Sequence, residues 1–296
     1  MSKCRLDDKI IDVILYFILA IIGFITLYPF INVLAVSFND STDTIAGGIY
    51  LFPRKFTLEN YRQVLEYPNL VRAFINSTAR TIIGTILSVV CTSMVAFAVS
   101  RKDFVLNRFV SIIFLIPMYV SGGLIPSFLL MRSLGLINNF LVYLLPYLIS
   151  SFWIFVVKSY IDGLPASLQE SAMIDGANDI LIFFKIIFPL CLPVCATLAL
   201  SVSVLHWNSW FDTYIYCPNR KELTTLQFEL QKIINNTKSI ARGGFLDYDS
   251  AKQSVYVSPT SIQMAITVVV TIPIILVYPF VQKYFITGMT LGAVKS

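Results

Sequence analysis

Several carboxylates and small residues lie together in residues 159–181, here called the carboxylate segment, between two long apolar stretches. The residues of interest are, in chain order, Glu170, Ser171, Ala172, Asp175, Gly176 and Ala177, with Pro189 just beyond the segment. Carboxylates form charge-assisted hydrogen bonds with the basic groups of a partner, and small residues allow a partner's backbone to approach closely. These residue types predict a docking surface.

The sequence of the carboxylate segment predicts a helix, a glycine hinge and a second helix. Pro165 suits the first turn of a helix because its missing N–H has no partner there, and we predict this amphipathic helix over about 165–174. Gly176 then lies where the backbone can adopt the left-handed conformation. Asn178 or Asp179 can cap the helix that follows.

The composition is that of an integral membrane protein. Hydrophobic residues make up 56% of the chain and charged residues 13%, with a mean hydropathy of +0.75, whereas soluble domains contain about 25% charged residues. The neutral stretches are long enough for helices across the bilayer and too long for barrel strands. We predict an all-α polytopic membrane protein, one transmembrane domain over 1–296, with six transmembrane helices at about 13–37, 77–100, 109–131, 137–158, 182–208 and 260–283.

Basic residues indicate an orientation in the membrane. They are dense at the N-terminus and again between the second and third predicted spans, at Arg101, Lys102 and Arg108. This local density favours the cytoplasmic side for both regions, although a count over whole faces does not. The N- and C-termini and the carboxylate segment are then cytoplasmic.

Several other classes of protein are disfavoured by the sequence. The net charge of +5 comes without long basic runs, so we expect contact with anionic lipid headgroups and no nucleic acid. The five cysteines lack metal-ligand spacing, and we expect no metal and no cofactor; Cys191 and Cys195 are interpreted as packing residues. Since the chain has no G-x-x-x-x-G-K-[ST] phosphate loop, energy must come from a partner.

The carboxylate segment resembles the characteristic cytoplasmic loop of bacterial ABC-importer permeases. That loop reads E-A-A and then D-G-A. After the glycine of D-G-A come nine variable residues, and I-x-L-P follows them. This chain has E-S-A at 170–172, D-G-A at 175–177 and Ile186-Ile187-Phe188-Pro189, so it departs at Ser171 and Phe188. Further similarity to the carbohydrate-uptake branch, with its maltose-type inner subunits and lipoprotein-type oligosaccharide permeases, lies in Leu27-Tyr28-Pro29-Phe30, Ser37-Phe38-Asn39, the run from Trp207 to Asp212, and Lys283-Tyr284-Phe285.

The resemblance implies a permease subunit in a bacterial plasma membrane, not itself an enzyme, that couples ATP hydrolysis in other subunits to the import of a sugar, most simply an oligosaccharide. It implies four kinds of partner contact: a second homologous permease subunit in a heterodimer, two cytoplasmic ATP-binding subunits, an extracytoplasmic solute-binding protein, and membrane lipid. The residues that would contact the ATP-binding subunit, or shape that contact, are Glu170, Ser171, Ala172, Asp175, Gly176, Ala177 and Pro189.

A polar and aromatic cluster near the end of the fifth predicted span provides candidates for the sugar pathway. Its members are Trp207, Asn208, Trp210, Phe211, Asp212 and Tyr214. Aromatic faces stack on sugar rings, and amides and carboxylates bind hydroxyls. Interfacial anchoring of Trp and Tyr explains the same residues equally well. The lone histidine, His206, is expected to be a packing residue.

Two alternative interpretations are open. The helix over 165–174 would be an ordinary solvated surface helix if nothing docks on it. Alternatively, the protein would be a secondary sugar transporter or channel that acts without an ATPase. Such carriers usually need a charged residue inside the membrane, and we expect none in the predicted spans away from their ends.

Overall fold

The computed structural model describes residues 6–67, 69–241 and 259–293. Within these ranges the regular secondary structure is helical, with one isolated bridge between Asn39 and Phe56, so the predicted all-α class is confirmed. The α-helices are α1 (Leu6–Ser37), α2 (Ser41–Ile45), α3 (Glu59–Glu66), α4 (Leu70–Ser100), α5 (Asn107–Tyr119), α6 (Leu124–Ser133), α7 (Ser151–Asp162), α8 (Ser167–Ile174), α9 (Asp179–Ile182), α10 (Phe188–Leu190), α11 (Leu192–Asn208), α12 (Phe211–Tyr216), α13 (Leu226–Ala241) and α14 (Pro259–Ala293). They belong to two compact units, Met1–Leu70 with Leu230–Ile272 and Val71–Glu229 with Pro273–Ser296.

Two of the predicted spans are single long apolar helices. The stretch Ile11–Ser37 of α1 and the whole of α4 are each long and apolar enough to cross a membrane. The first agrees with the prediction of 13–37, whereas α4 begins seven residues before the predicted start at 77. Two bent helix pairs bring the possible number of spans among the described residues to four.

The prediction of one helix over 109–131 is wrong. This stretch contains two shorter helices, α5 and α6, separated at residues 120–123. Gly123 has a φ of +84°, a left-handed conformation that interrupts the helical hydrogen-bond ladder and that residues with a Cβ resist. The apolar composition continues across the break, which is why hydropathy alone missed it.

The predicted spans over 137–158 and 182–208 are both bent. The first consists of short 3-10 turns, Phe140–Tyr143 and Leu145–Tyr147, followed by α7 at 46°. The second turns by 82° between Asp179–Leu190 and α11. Pro189 and Pro193 flank this second bend, and each lacks the N–H that a continuous helix needs.

The core of the second unit is built where α4, α7 and α11 contribute buried apolar residues. Val89 and Phe97 come from α4, Ile154 from α7 and Leu198 from α11. Cys191 and Cys195 are both buried in this core, which confirms their interpretation as packing residues. The last predicted span lies within α14, where the side chains of Lys283-Tyr284-Phe285 are outside the described residues.

In the first unit, two buried asparagines organise the loop after α1. The Asn60 amide donates to the carbonyls of Ser37 and Asn39, both at 2.8 Å. Oδ1 of Asn39 accepts the N–H groups of Arg54 and Lys55 at 2.8 and 2.9 Å. Since these buried amides bridge backbone groups far apart in the chain, the loop has a defined fold rather than an extended path.

Candidate functional site

The carboxylate segment begins with a tight turn after α7. The N–H groups of Gly163 and Leu164 donate to the carbonyls of Tyr160 and Ile161 at 3.1 and 2.9 Å, and α7 ends there. Pro165 follows, and the regular part of α8 starts at Ser167, two residues later than predicted. The predicted surface helix is therefore present, in a slightly shorter form.

The end of α8 is fixed by a Schellman motif. Gly176 has a φ of +80°, and its N–H donates to the Met173 carbonyl at 3.0 Å. The N–H of Ala177 reaches back to the Ala172 carbonyl at 2.9 Å. These two bonds satisfy carbonyls that the end of a helix leaves open, and they confirm the predicted left-handed turn at the glycine.

The following helix is capped by Asn178. Its Oδ1 accepts the N–H of Leu181 at 2.8 Å, so the asparagine is the capping residue and Asp179 is the first residue of α9. A cap of this kind satisfies one of the unpaired N–H groups at a helix start. The turn between α8 and α9 is thus held by hydrogen bonds on both sides of Gly176.

The predicted docking residues divide between two faces. Ala172 is buried in the core of the second unit, and Ala177 packs against that core. Glu170, Ser171 and Asp175 are exposed, as is Pro189. Ala172 and Ala177 therefore attach α8 to the protein and are not the points of close approach for a partner that the sequence predicted, while the carboxylates lie on the free side of α8.

Arg101, which follows α4, also contacts the carboxylate segment. It forms a bidentate pair with Asp103, with Nε–Oδ1 and Nη2–Oδ2 distances of 2.9 and 2.7 Å. Hydrogen bonding to this guanidinium lowers the pKa of the Asp103 carboxyl. Nη2 also lies 3.4 Å from Oδ1 of Asp179. From the sequence, Arg101 indicated only the orientation in the membrane, and no local pattern predicts its contact with Asp179, 78 positions away.

The candidate pathway residues are not gathered in one place. Trp207 is buried and packs edge-on against Phe74, with ring centroids 6.1 Å apart. The rings of Trp210, Phe211 and Tyr214 form a separate cluster, with centroids 5.6 to 6.4 Å apart. Phe211 and Tyr214 are exposed, as is Asn208.

Asp212 lies in a buried polar network. Its Oδ2 is 2.6 Å from Nη2 of Arg80 and accepts the Ser209 hydroxyl at 2.8 Å. Its Oδ1 accepts the Tyr147 hydroxyl at 3.1 Å, and the Arg80 guanidinium lies 4.6 Å from the centroid of the Tyr143 ring. Both carboxylate oxygens are thus occupied within the protein.

The expectation that the predicted spans hold no charged residue away from their ends is wrong for α4, because Arg80 is buried inside this helix. Arg80 is the largest fully buried side chain of α4, with 0% of it exposed. Because α4 starts at Leu70 rather than at 77, Arg80 lies well inside the helix. The signal available in the sequence was an arginine eleven positions into a long, mostly apolar helix that also carries Arg72 near its start. His206 is also buried, packed against Gly84 and the Tyr147 ring, as expected of a packing residue.

Long apolar helices together with an exposed charged helix fixed at its end are the features expected of the membrane-transport subunit that the motif predicts. Residues 84–291 match the family described as "Binding-protein-dependent transport system inner membrane component". The chain belongs to this family, so the class predicted from the motif in the carboxylate segment is confirmed.

Individual relatives match over nearly the whole chain. Identity is 33% over 291 residues with the polygalacturonan/rhamnogalacturonan transport system permease protein YtcP of Bacillus subtilis, covering 98% of this chain and 100% of that protein. It is 31% over 284 residues with the arabinooligosaccharides transport system permease protein AraQ of Halalkalibacterium halodurans, covering 94% of each. A chain in the crystal structure of a bacterial ABC transporter involved in the import of the acidic polysaccharide alginate matches with a TM-score of 0.85 and 28% identity, over 96% of this chain and 100% of that chain.

Proposed function

We propose that this permease imports an oligosaccharide and that ATP hydrolysis by two separate ATP-binding subunits drives the transport. The relatives that support the substrate class carry polygalacturonan/rhamnogalacturonan and arabinooligosaccharide names. A solute-binding protein on the outer side of the membrane would deliver the sugar. A second, homologous permease subunit would complete the pathway.

The observation that supports the coupling mechanism is that one face of α8 is buried against the core and the other is exposed. One face is attached to the core through Ala172, and the helix end is fixed at Gly176. On the free side, Glu170 and Asp175 are exposed, and neither forms an ion pair with another described residue. Ile174 is 86% exposed between them. An apolar side chain flanked by carboxylates suits a cleft with basic residues on an ATP-binding subunit.

The proposed movement follows from this attachment. A helix held firmly at its base transmits a push from the docked subunit to the helices that hold it, whereas a mobile loop would absorb the push. Closure of the two ATP-binding subunits would then tilt the transmembrane helices between inward-open and outward-open states. For this we propose six membrane crossings, one permease domain over 1–296 and cytoplasmic N- and C-termini in the bacterial plasma membrane.

We place the sugar pathway near the ring cluster of Trp210, Phe211 and Tyr214, in which Phe211 and Tyr214 are exposed and Trp210 is half-buried. Three neighbouring rings offer stacking faces for a sugar. Interfacial anchoring remains the competing explanation, and Trp210→Phe separates the two, because Phe stacks on sugars but is a weaker interfacial residue than Trp. Uptake that survives Trp210→Phe and is lost in Trp210→Ala supports a pathway role.

The docking proposal is tested in the complete complex, reconstituted in lipid with its ATP-binding subunits and binding protein. Glu170→Lys reverses the charge on the free side of α8 and is expected to abolish the stimulation of ATPase activity by sugar-loaded binding protein. Glu66→Lys is the matched control, since Glu66 is exposed on α3 and far from the segment in sequence. Normal stimulation in Glu170→Lys overturns the proposal.

The second candidate function, a carrier or channel that works alone, makes the opposite prediction for uptake. The exposed carboxylate helix favours the ATP-driven importer, because a self-sufficient carrier has no need for it. In cells lacking the ATP-binding subunits, uptake of the sugar persists if the chain acts alone. Complete loss of uptake there supports the importer.

A further inference from the structure

Arg101 contacts the carboxylate segment on both sides of Gly176. Its Nη2 group donates to Sδ of Met173 at 3.5 Å, three residues before the glycine. The same nitrogen lies 3.4 Å from Oδ1 of Asp179, three residues after it. One guanidinium therefore bridges the left-handed turn between α8 and α9.

Arg101 is also oriented from the side of α4. The bidentate pair with Asp103 fixes the plane of the guanidinium, since two parallel N–H···O bonds specify direction as well as distance. The centroid of the Phe97 ring, in the last turn of α4, is 5.9 Å from the guanidinium carbon. The side chain is only 11% exposed. It is thus held in place where α4 ends.

The end of α4 packs on the segment around α9 through Phe97 and Phe183, whose ring centroids are 5.7 Å apart, but the packing next to Arg101 is incomplete. A cavity of about 390 Å³ lies beside the guanidinium, lined by Ala98 and Arg101 on the α4 side and by Ile180 and Phe184 on the other. This cavity opens to the surface, so the turn that precedes α9 has room to shift once its polar contacts to Arg101 are removed.

We infer that Arg101 is a positioning residue that sets the angle of the turn at Gly176 relative to the end of α4. The inference rests on the proposed docking of α8 onto an ATP-binding subunit. With the guanidinium in place, movement of α8 is passed to α4. Without it, the turn moves into the cavity and the movement is lost.

The role is distinct from stabilisation of the fold. Asp103 and Asp179 have side chains that are 67% and 71% exposed, so removing Arg101 leaves neither carboxylate as a buried, unpaired charge, the case that is strongly destabilising. Loss of Arg101 should therefore reduce coupling far more than it reduces folding or assembly. The experiment therefore measures coupling and assembly separately.

The experiment uses the complete complex in proteoliposomes. We expect Arg101→Ala to lower the ratio of sugar-stimulated to unstimulated ATPase activity by at least about fivefold, a typical size for coupling between sites, while the ATP-binding subunits still co-purify. Arg101→Lys should lose most of this ratio as well, because an ammonium cannot form the bidentate pair. Lys102→Ala removes the same charge from the adjacent, exposed position and should leave the ratio unchanged.

A double-mutant cycle tests the bridge itself. Asp179→Asn removes one end of the contact and should lower the ratio by a smaller amount. Adding Asp179→Asn to Arg101→Ala should produce no further loss, since contacting residues are non-additive. If Arg101→Ala does not accumulate in the membrane, Asp179→Asn supplies the same readout.

The outcomes distinguish this inference from the proposed function. A normal ratio in Arg101→Ala, together with loss of stimulation in Glu170→Lys, overturns the positioning role and leaves the docking proposal intact. A normal ratio in Glu170→Lys overturns the docking proposal itself. An additive loss in the double variant contradicts the bridge across Gly176.

Discussion

Arg80 and Asp212 form an ion pair of 2.6 Å across 132 positions of the chain. The arginine belongs to α4 and the aspartate to α12, and both side chains are almost fully buried. Ser209 and Tyr147 complete the hydrogen bonding of the carboxylate. The pair joins two elements that no local sequence pattern connects.

Removing one partner of this pair should be strongly destabilising. Because Asp212 would be left as an unpaired buried charge, we expect Arg80→Ala to lower the free energy of unfolding by about 3–5 kcal/mol. Denaturation of the purified protein in detergent micelles measures this. The control is Arg62→Ala in the exposed Arg62–Glu66 pair, for which about 0–1 kcal/mol is expected. Equal effects of the two variants would contradict the account.

Gly84 should not tolerate a side chain. A Cβ there would lie 2.5 Å from Nε2 of His206, whose ring is fully buried. Despite the better helix propensity of Ala, we expect Gly84→Ala to cost about 1–3 kcal/mol through overpacking. Adding His206→Ala should restore part of the stability. Gly23→Ala is the control, since a Cβ at Gly23 meets nothing within 4 Å. A Gly84→Ala variant as stable as the wild type rules out the close packing.

The left-handed turn at Gly176 should tolerate asparagine better than a branched residue. Its φ of +80° costs a residue with a Cβ about 1–2 kcal/mol, with Asn the usual exception. We expect Gly176→Asn to retain most sugar-stimulated ATPase activity in the reconstituted complex and Gly176→Val to lose it. Equal activity of both variants would show that the turn is dispensable.

The loop after α1 should lose stability in acid. The pKa of the Asp43 carboxyl lies below its ordinary value of 3.8. The hydrogen bond from the Asn39 amide is the main cause, and Arg54 lowers the pKa further. The pKa of Asp43 is lower in the folded state than in the unfolded state. Its contribution to the free energy of unfolding is therefore fully present above pH 3.8 and is lost as the pH falls through the lowered folded-state value. Asp43→Asn should therefore flatten the pH dependence of the melting temperature below about pH 4. From pH 7 to 5 the two melting curves should run in parallel, and divergence there contradicts the assignment.

Local chemistry explains what the sequence could predict about the site. The turn at Gly176 and the cap at Asn178 depend on residues within one helical turn, and both are formed. The split between Ala172 inside and Glu170 outside follows from helical periodicity alone. These features needed no knowledge of the rest of the chain.

The remaining features depend on distant residues or on backbone detail. Pro189 and Pro193 indicate that a hydrogen-bond ladder is broken, but the 82° bend is set by how the flanking helices pack. Glycine accepts many backbone conformations, so the residue type at position 123 does not by itself specify the φ of +84°. Neither hydropathy nor spacing could pair Arg80 with Asp212, since that pair exists only once α4 and α12 meet.

Site-specific crosslinking tests the central claim most directly. A photoreactive amino acid in place of Ser171, on the free side of α8, is introduced into the assembled complex, with Tyr50, 66% exposed in the loop after α1, as the matched position. We predict that position 171 crosslinks to an ATP-binding subunit and that position 50 does not crosslink to that subunit. Absence of any crosslink from 171 to that subunit in an active complex would contradict this prediction.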